Sequence, residues 1–105
     1  AGRLSLPLMV TENGTWMEED ARRWHFIVRH VAAMAQAMQQ GARVLGYLYW
    51  SLLDNFEWAH GFAPRFGLIE VDYATQARRV RDSGWRFANL CRANRLQLSE
   101  VVSSE

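Results

Sequence analysis

Lysine is missing altogether: all twelve basic residues are arginine. Genomic composition and selection for heat tolerance both remain open as the cause. There is a single cysteine, Cys91, which excludes an internal disulfide framework. A lone thiol within a helical pattern is expected in the core. No apolar run approaches the roughly 20 residues needed to cross a bilayer. Excess charge is missing too, because twelve arginines face eleven carboxylates for a net charge of +1. That balance argues against nucleic acid or an anionic membrane as partner. The chain opens Ala1-Gly2-Arg3 without an initiator methionine and enters a strand-like run almost at once. It is therefore expected to come from the middle of a longer protein. The lack of a signal peptide then leaves the compartment open, with the cytoplasm favoured.

What is present suits a folded chain. Half of the 105 residues are hydrophobic, enough for one small domain with a modest core. Residues 4–11 read as a strand, with Pro7 interrupting its start and Leu8, Met9 and Val10 as its buried part. Glu12, Asn13 and Gly14 follow, and Asn-Gly signals a turn. Asn13-Gly14-Thr15 also fits a glycosylation sequon, for which the turn is the simpler explanation.

Residues 20–40 give the clearest helix. Trp24, Ile27, Val28, Val31, Met34, Ala35 and Met38 recur at helical spacing, and Arg22, Arg29 and Gln36 take the other side. Glu18, Glu19 and Asp20 suit the positive end of its dipole, and Gly41 is placed to end it. A second buried strand is expected over 44–50, then a long loop to about Arg65. Gly67 to Tyr73 reads as a short strand with 74–81 as turn and return. Asp82 or Ser83 can cap a last helix bearing Trp85, Phe87, Ala88, Cys91 and Leu98. Beyond it, residues 99–105 are expected to form a polar, fraying tail.

Two parallel strands and a crossover helix cannot bury both faces of a sheet by themselves. In a (β/α)8 TIM barrel each unit takes roughly 30 residues of a total near 250. The fold class expected is therefore α/β: residues 1–98 as the last two β/α units of such a barrel, incomplete as an isolated chain. Catalytic residues in that architecture lie at the C-terminal ends of strands, where Glu12 and Trp50 fall.

The stretch from Gly46 to Trp58 concentrates the chemistry. A continuous apolar run breaks at Ser51, and Asp54, Asn55, Glu57 and Trp58 follow within five positions. Aromatic faces beside carboxylates can hold a sugar ring, by stacking on its C–H faces and by charge-assisted bonds to its hydroxyls. A buried aromatic cluster with Asp54 capping a turn is the plainer alternative. The connection is also longer than most in compact domains, and such loops are usually functional. His25, His30 and His60 show no metal-ligand spacing, so no metal and no cofactor are expected.

At these positions the sequence resembles the family-1 glycoside hydrolases, the β-glucosidase and β-galactosidase family. Val10-Thr11-Glu12-Asn13-Gly14 looks like the family's nucleophile motif, and Asp20, Arg23, Phe26, Ile27 and His30 like its following helix. The run from Trp50 to Trp58, then Gly61-Phe62, Arg65-Phe66-Gly67 and Val71-Asp72-Tyr73, looks like the last strand and sugar-binding loop. The resemblance covers about residues 4–96, in family order.

It implies that Glu12 is the nucleophile, attacking the anomeric carbon to form a covalent glycosyl-enzyme. It implies Trp50 as the platform of the −1 subsite, Glu57 as acceptor from the 4- and 6-hydroxyls, and Trp58 as indole donor to a ring hydroxyl. Phe66 would pack near the 6-hydroxymethyl, while Asp54 and Asn55 would brace the loop and His30 would be structural. The implied substrate is a β-glycoside or oligosaccharide ending in a β-D-glucosyl or galactosyl residue. A retaining glycosidase needs two carboxyls about 5–5.5 Å apart. The family's proton donor is the Glu of an Asn-Glu-Pro motif, which does not occur here. The implied partner is therefore the missing N-terminal part of the barrel, from the same gene or a separate chain. The non-catalytic alternative is a fragment that binds sugar weakly or only completes another chain's barrel. Self-pairing through open sheet edges is a third possibility.

Overall fold

The structure, a computed structural model, describes residues 5–103. Strand β1 spans Leu8–Asn13, helix α1 Asp20–Gln39 and strand β2 Val44–Tyr49. A 3-10 turn follows at Trp58–His60, then β3 (Ile69–Val71), β4 (Arg78–Val80), α2 (Asp82–Ala93) and α3 (Leu98–Ser103). β1 and β2 pair in parallel with α1 as the crossover, and β3 and β4 form a separate antiparallel hairpin.

α1 matches the helix expected from its spacing, because its stripe finds a partner surface. Trp24, Ile27 and Val28 are buried with Leu68, and Phe26, Val31, Tyr49, Phe87, Leu90, Leu96 and Val101 pack around them. Full burial of Ile27 and Val28 contributes about 1.5–3 kcal/mol each. Gly41, with φ +99°, ends the helix in a conformation costly for any side chain.

Arg23 is also fully buried within this stripe. Its Nη1 donates to Asp20 at 2.6 Å, and its Nη2 to the carbonyls of Met17 and Arg65 at 2.7 and 2.9 Å. Asp20 in turn accepts from the Ser83 N–H at 2.8 Å and the Ser83 hydroxyl at 2.6 Å. Burial opposes ionisation of Asp20, but the Ser83 and Arg23 bonds outweigh it and hold its carboxyl below the ordinary value. One buried network thus joins the first turns of both long helices to the loop after β2.

Several expectations are corrected. β1 runs on to Asn13, so Glu12 lies inside the strand and not after it; the expected start at Leu4 is outside the described residues. Asn13-Gly14 makes no turn. Glycine is needed at 14 because a Cβ there would fall on the Trp50 carbonyl oxygen. Arg81, not Asp82 or Ser83, is the N-cap of α2, since Ser83 is engaged by Asp20 across the helix interface. α2 stops at Ala93, where Asn94 turns left-handed with φ +52°. Leu98 therefore starts a separate helix, α3, whose Val101 reaches the core in place of a frayed tail.

The strands are not buried on both faces, and Cys91 is exposed. Helices cover only one side of the β1–β2 pair, leaving Met9 50% and Leu48 51% exposed. The radius of gyration, 15.1 Å, exceeds the roughly 13 Å expected of a compact chain of this length.

Candidate active site

β1 and β2 end side by side. The Trp50 N–H donates to the Asn13 carbonyl at 3.0 Å, which brings Glu12 and Trp50 to one end of the parallel pair. The pairing runs Met9 to Gly46, Val10 to Tyr47 and Asn13 to Tyr49. Three steps along β1 thus oppose two along β2, which is a bulge of one residue. Its consequence follows from strand alternation. Asn13 takes the Tyr47 side, where the Tyr47 hydroxyl donates to Asn13 Oδ1 at 2.7 Å. Tyr47 and Tyr49 both face Phe87 of α2, with ring centroids 6.2 and 6.3 Å away, so this is the helix-covered side. Glu12 and Trp50, each adjacent to a residue of that side, turn to the open face. Glu12 is exposed, and no side-chain hydrogen bond or ion pair of its own is found among the described residues. The Trp50–Ser51 peptide is cis.

The loop after β2 is braced, not loose. Asp54, 3% exposed, accepts two bonds from Arg81 at 2.9 and 3.0 Å and one from Arg65 at 3.0 Å. The N–H groups of Gly67 and Val71 add bonds at 2.9 and 3.3 Å. Burial would raise the Asp54 carboxyl, but the Arg81, Arg65 and Gly67 bonds prevail and hold it below the ordinary value. A buried carboxylate with two guanidinium partners is a structural anchor, because every lone pair it could offer a ligand is engaged. Asn55 donates to the Ser51 hydroxyl and the Leu53 carbonyl, so it also serves the loop.

Phe66 is drawn under β2, where its carbonyl accepts from the Tyr49 hydroxyl at 2.8 Å. Glu57 and Trp58 lie farther out. The Glu57 N–H donates to the Gly61 carbonyl at 2.7 Å, closing a tight turn around Trp58. Trp58 has φ +44° and is 81% exposed. A tryptophan held there costs of order 1–3 kcal/mol, which the turn closed between Glu57 and Gly61 sustains. Phe56, Phe62 and Tyr73 meet in series as tilted rings, and the Arg65 guanidinium lies 4.7 Å from the Tyr73 ring centre.

Strand pairing therefore unites Glu12 and Trp50, whereas the Tyr49–Phe66 bond ties the Phe66 carbonyl to the helix-covered side. Among the described residues no side-chain hydrogen bond or ring contact joins Phe66, Glu57 or Trp58 to them. The bulge and Arg81 escaped sequence reasoning; Arg23 and Arg65 stood in quoted motifs without a role. Among the described residues no cluster of three or more histidine, cysteine or acidic side chains could hold a metal.

With this arrangement in view, the likenesses to known proteins are specific. Residues 3–96 match Glycosyl hydrolase family 1. The chain belongs to that family. It is 40% identical over 97 residues to β-glucosidase A of Thermotoga maritima, covering 84% of this chain and 22% of that protein. It is 42% identical over 92 residues to a β-galactosidase of Sulfolobus acidocaldarius, covering 88% of this chain and 19% of that one. Among solved structures, a β-glycosidase from Pyrococcus horikoshii superimposes with a TM-score of 0.93 at 40% identity, covering 98% of this chain and 24% of its own. This family-1 chain is thus a piece of the family's barrel, spanning about a fifth of the curated relatives it matches. The hydrolase assignment holds at the level of the family.

Proposed function

We propose that this chain supplies the nucleophile and the sugar-holding wall of a retaining β-glycosidase acting on terminal β-D-glucosyl or galactosyl residues. The observation that carries this is the placement of Glu12 and Trp50 on the same open face at the C-terminal ends of two paired parallel strands. Barrel enzymes assemble their catalytic groups at that end. In this reading the chain forms the last two β/α units, and its open face lines the barrel interior.

The Glu12 carboxylate attacks the anomeric carbon as the glycosidic C–O bond breaks, and the aglycon oxygen takes a proton from a second carboxylic acid. Water then attacks the same carbon, giving its proton back to that second group and releasing Glu12. Trp50 offers the ring a flat floor, Glu57 accepts from the 4- and 6-hydroxyls, Trp58 donates its indole N–H, and Phe66 packs near the hydroxymethyl. The proton donor comes from the barrel portion that this chain would join.

The isolated chain is therefore expected to leave an aryl β-glucoside intact, and the chain combined with the remainder of its barrel to hydrolyse it. Glu12→Ala in the combined enzyme should abolish turnover while sugar affinity stays within about threefold. Robust hydrolysis by the isolated chain, or unchanged turnover in Glu12→Ala, would overturn the reading.

A further inference from the structure

We infer that the hydrogen bond from Tyr47 to Asn13 is a positioning device, holding the one-residue bulge of β1 that aims Glu12 at the Trp50 face. This rests on the proposed role of Glu12.

Consider the ladder without the bulge. Val10 lies opposite Tyr47, so unbroken pairing would set Glu12 opposite Tyr49 and Asn13 opposite Trp50. The side-chain period of a strand is two, so Glu12 would then share the face of Val10 and Tyr47. That side is covered by α2, where Phe87 meets both tyrosine rings. The opposite assignment of Met9 supports this reading, because a Cβ on Gly46 would meet the Met9 thioether at 3.1 Å. Met9 thus stands with Gly46 on the open side and Val10 with Tyr47 on the covered one. A carboxylate turned under α2 would be both desolvated and out of reach of any sugar.

Three contacts hold the observed register. Tyr47 Oη donates to Asn13 Oδ1 at 2.7 Å, the Trp50 N–H donates to the Asn13 carbonyl at 3.0 Å, and side-chain-free Gly14 passes against the Trp50 carbonyl. Only the first is a side-chain pair, and it joins the extra residue's neighbour directly to a ring seated on α2. Burial pushes the Tyr47 hydroxyl well above its ordinary value, so it remains a donor across the working pH range. Bulges beside active sites commonly re-aim a side chain, and here the re-aimed residue is Glu12.

The test uses the chain combined with the remainder of its barrel. Tyr47→Phe and Asn13→Ala should each lower kcat by about tenfold to a hundredfold with KM within about threefold, the signature of a misdirected nucleophile. The double variant should be no slower than the slower single one, since one interaction is lost in all three. A crystal structure of the Asn13→Ala enzyme should show Glu12 turned from the Trp50 face. Unchanged kcat in both variants, multiplying effects, or a fall in kcat with Glu12 unmoved would overturn the inference. An activated 2-fluoro-β-glucoside, whose glycosyl-enzyme is slow to hydrolyse, separates this from the underlying reading. Sugar trapped on a residue other than Glu12 in the unaltered enzyme sinks both. Sugar trapped on Glu12 at the same rate in Tyr47→Phe as in the unaltered enzyme sinks only the positioning role.

Discussion

Replacing Asp54 by alanine would strand two guanidinium groups at once, because Arg81 and Arg65 both end on its carboxylate. Arg81 has no route to solvent comparable to that of Arg65, its side chain being 10% exposed against 36%. The cost of removing one partner from such a buried pair is about 3–5 kcal/mol, so Asp54→Ala is expected to shift the urea midpoint of the folded enzyme far downward. Its pH dependence has a definite sign. The folded carboxyl lies below its ordinary value, so its contribution is complete above the unfolded value of about 3.9 and fades as pH falls through the folded one. The stability gap between the parent and Asp54→Asn should be constant near neutrality and narrow below about pH 4. A gap independent of pH would show that the carboxylate is not the anchor.

Elements were more legible than their junctions. The span of α1 follows from a stripe that repeats locally, and β2 from an unbroken apolar run, so neither needs knowledge of distant residues. The junctions are made by pairs far apart in the chain. Asn13 meets Tyr47, Asp54 meets Arg81, and Ser83 meets Asp20, and no local pattern announces any of them. Local spacing therefore shows no bulge, and it offers Asp82 or Ser83 as the cap of α2 where Arg81 takes that place. Likewise Cys91 carries the periodicity of a core residue, yet periodicity cannot say whether a covering element is at hand. The candidate site was legible as residue types at two strand ends, whereas the turning of Glu12 to the open face depends on register alone.

Gly84 shows how a junction reverses a local rule. Within a helix interior, Gly to Ala ordinarily stabilises by about 1 kcal/mol. At Gly84, in the first turn of α2, a Cβ would lie 2.7 Å from the Leu68 carbonyl oxygen and 2.9 Å from Val80 Cγ1. The helix would have to lift from β4, so overpacking at about 1–3 kcal/mol wins. Gly84→Ala is expected to lower the thermal midpoint, and a rise would show that α2 is free to shift.

At the scale of the whole molecule, the defining feature is an uncovered apolar side. Met9, Leu48 and Leu52 are half or more exposed beside two strands whose outer edges have no partner among the described residues. A net charge of +1 offers little repulsion against association. In isolation the chain is expected to sediment as more than a monomer at micromolar concentration, and to lose that association when the remainder of the barrel is supplied. A monomer that persists alone would mean the exposed side needs no cover.

The most direct test of the nucleophile assignment is to trap the glycosyl-enzyme of the combined barrel with an activated 2-fluoro-β-glucoside and map the modified peptide by mass spectrometry. The expected result is one sugar, attached to Glu12. A sugar on any other residue, or none on a barrel that still turns over an aryl β-glucoside, would contradict it.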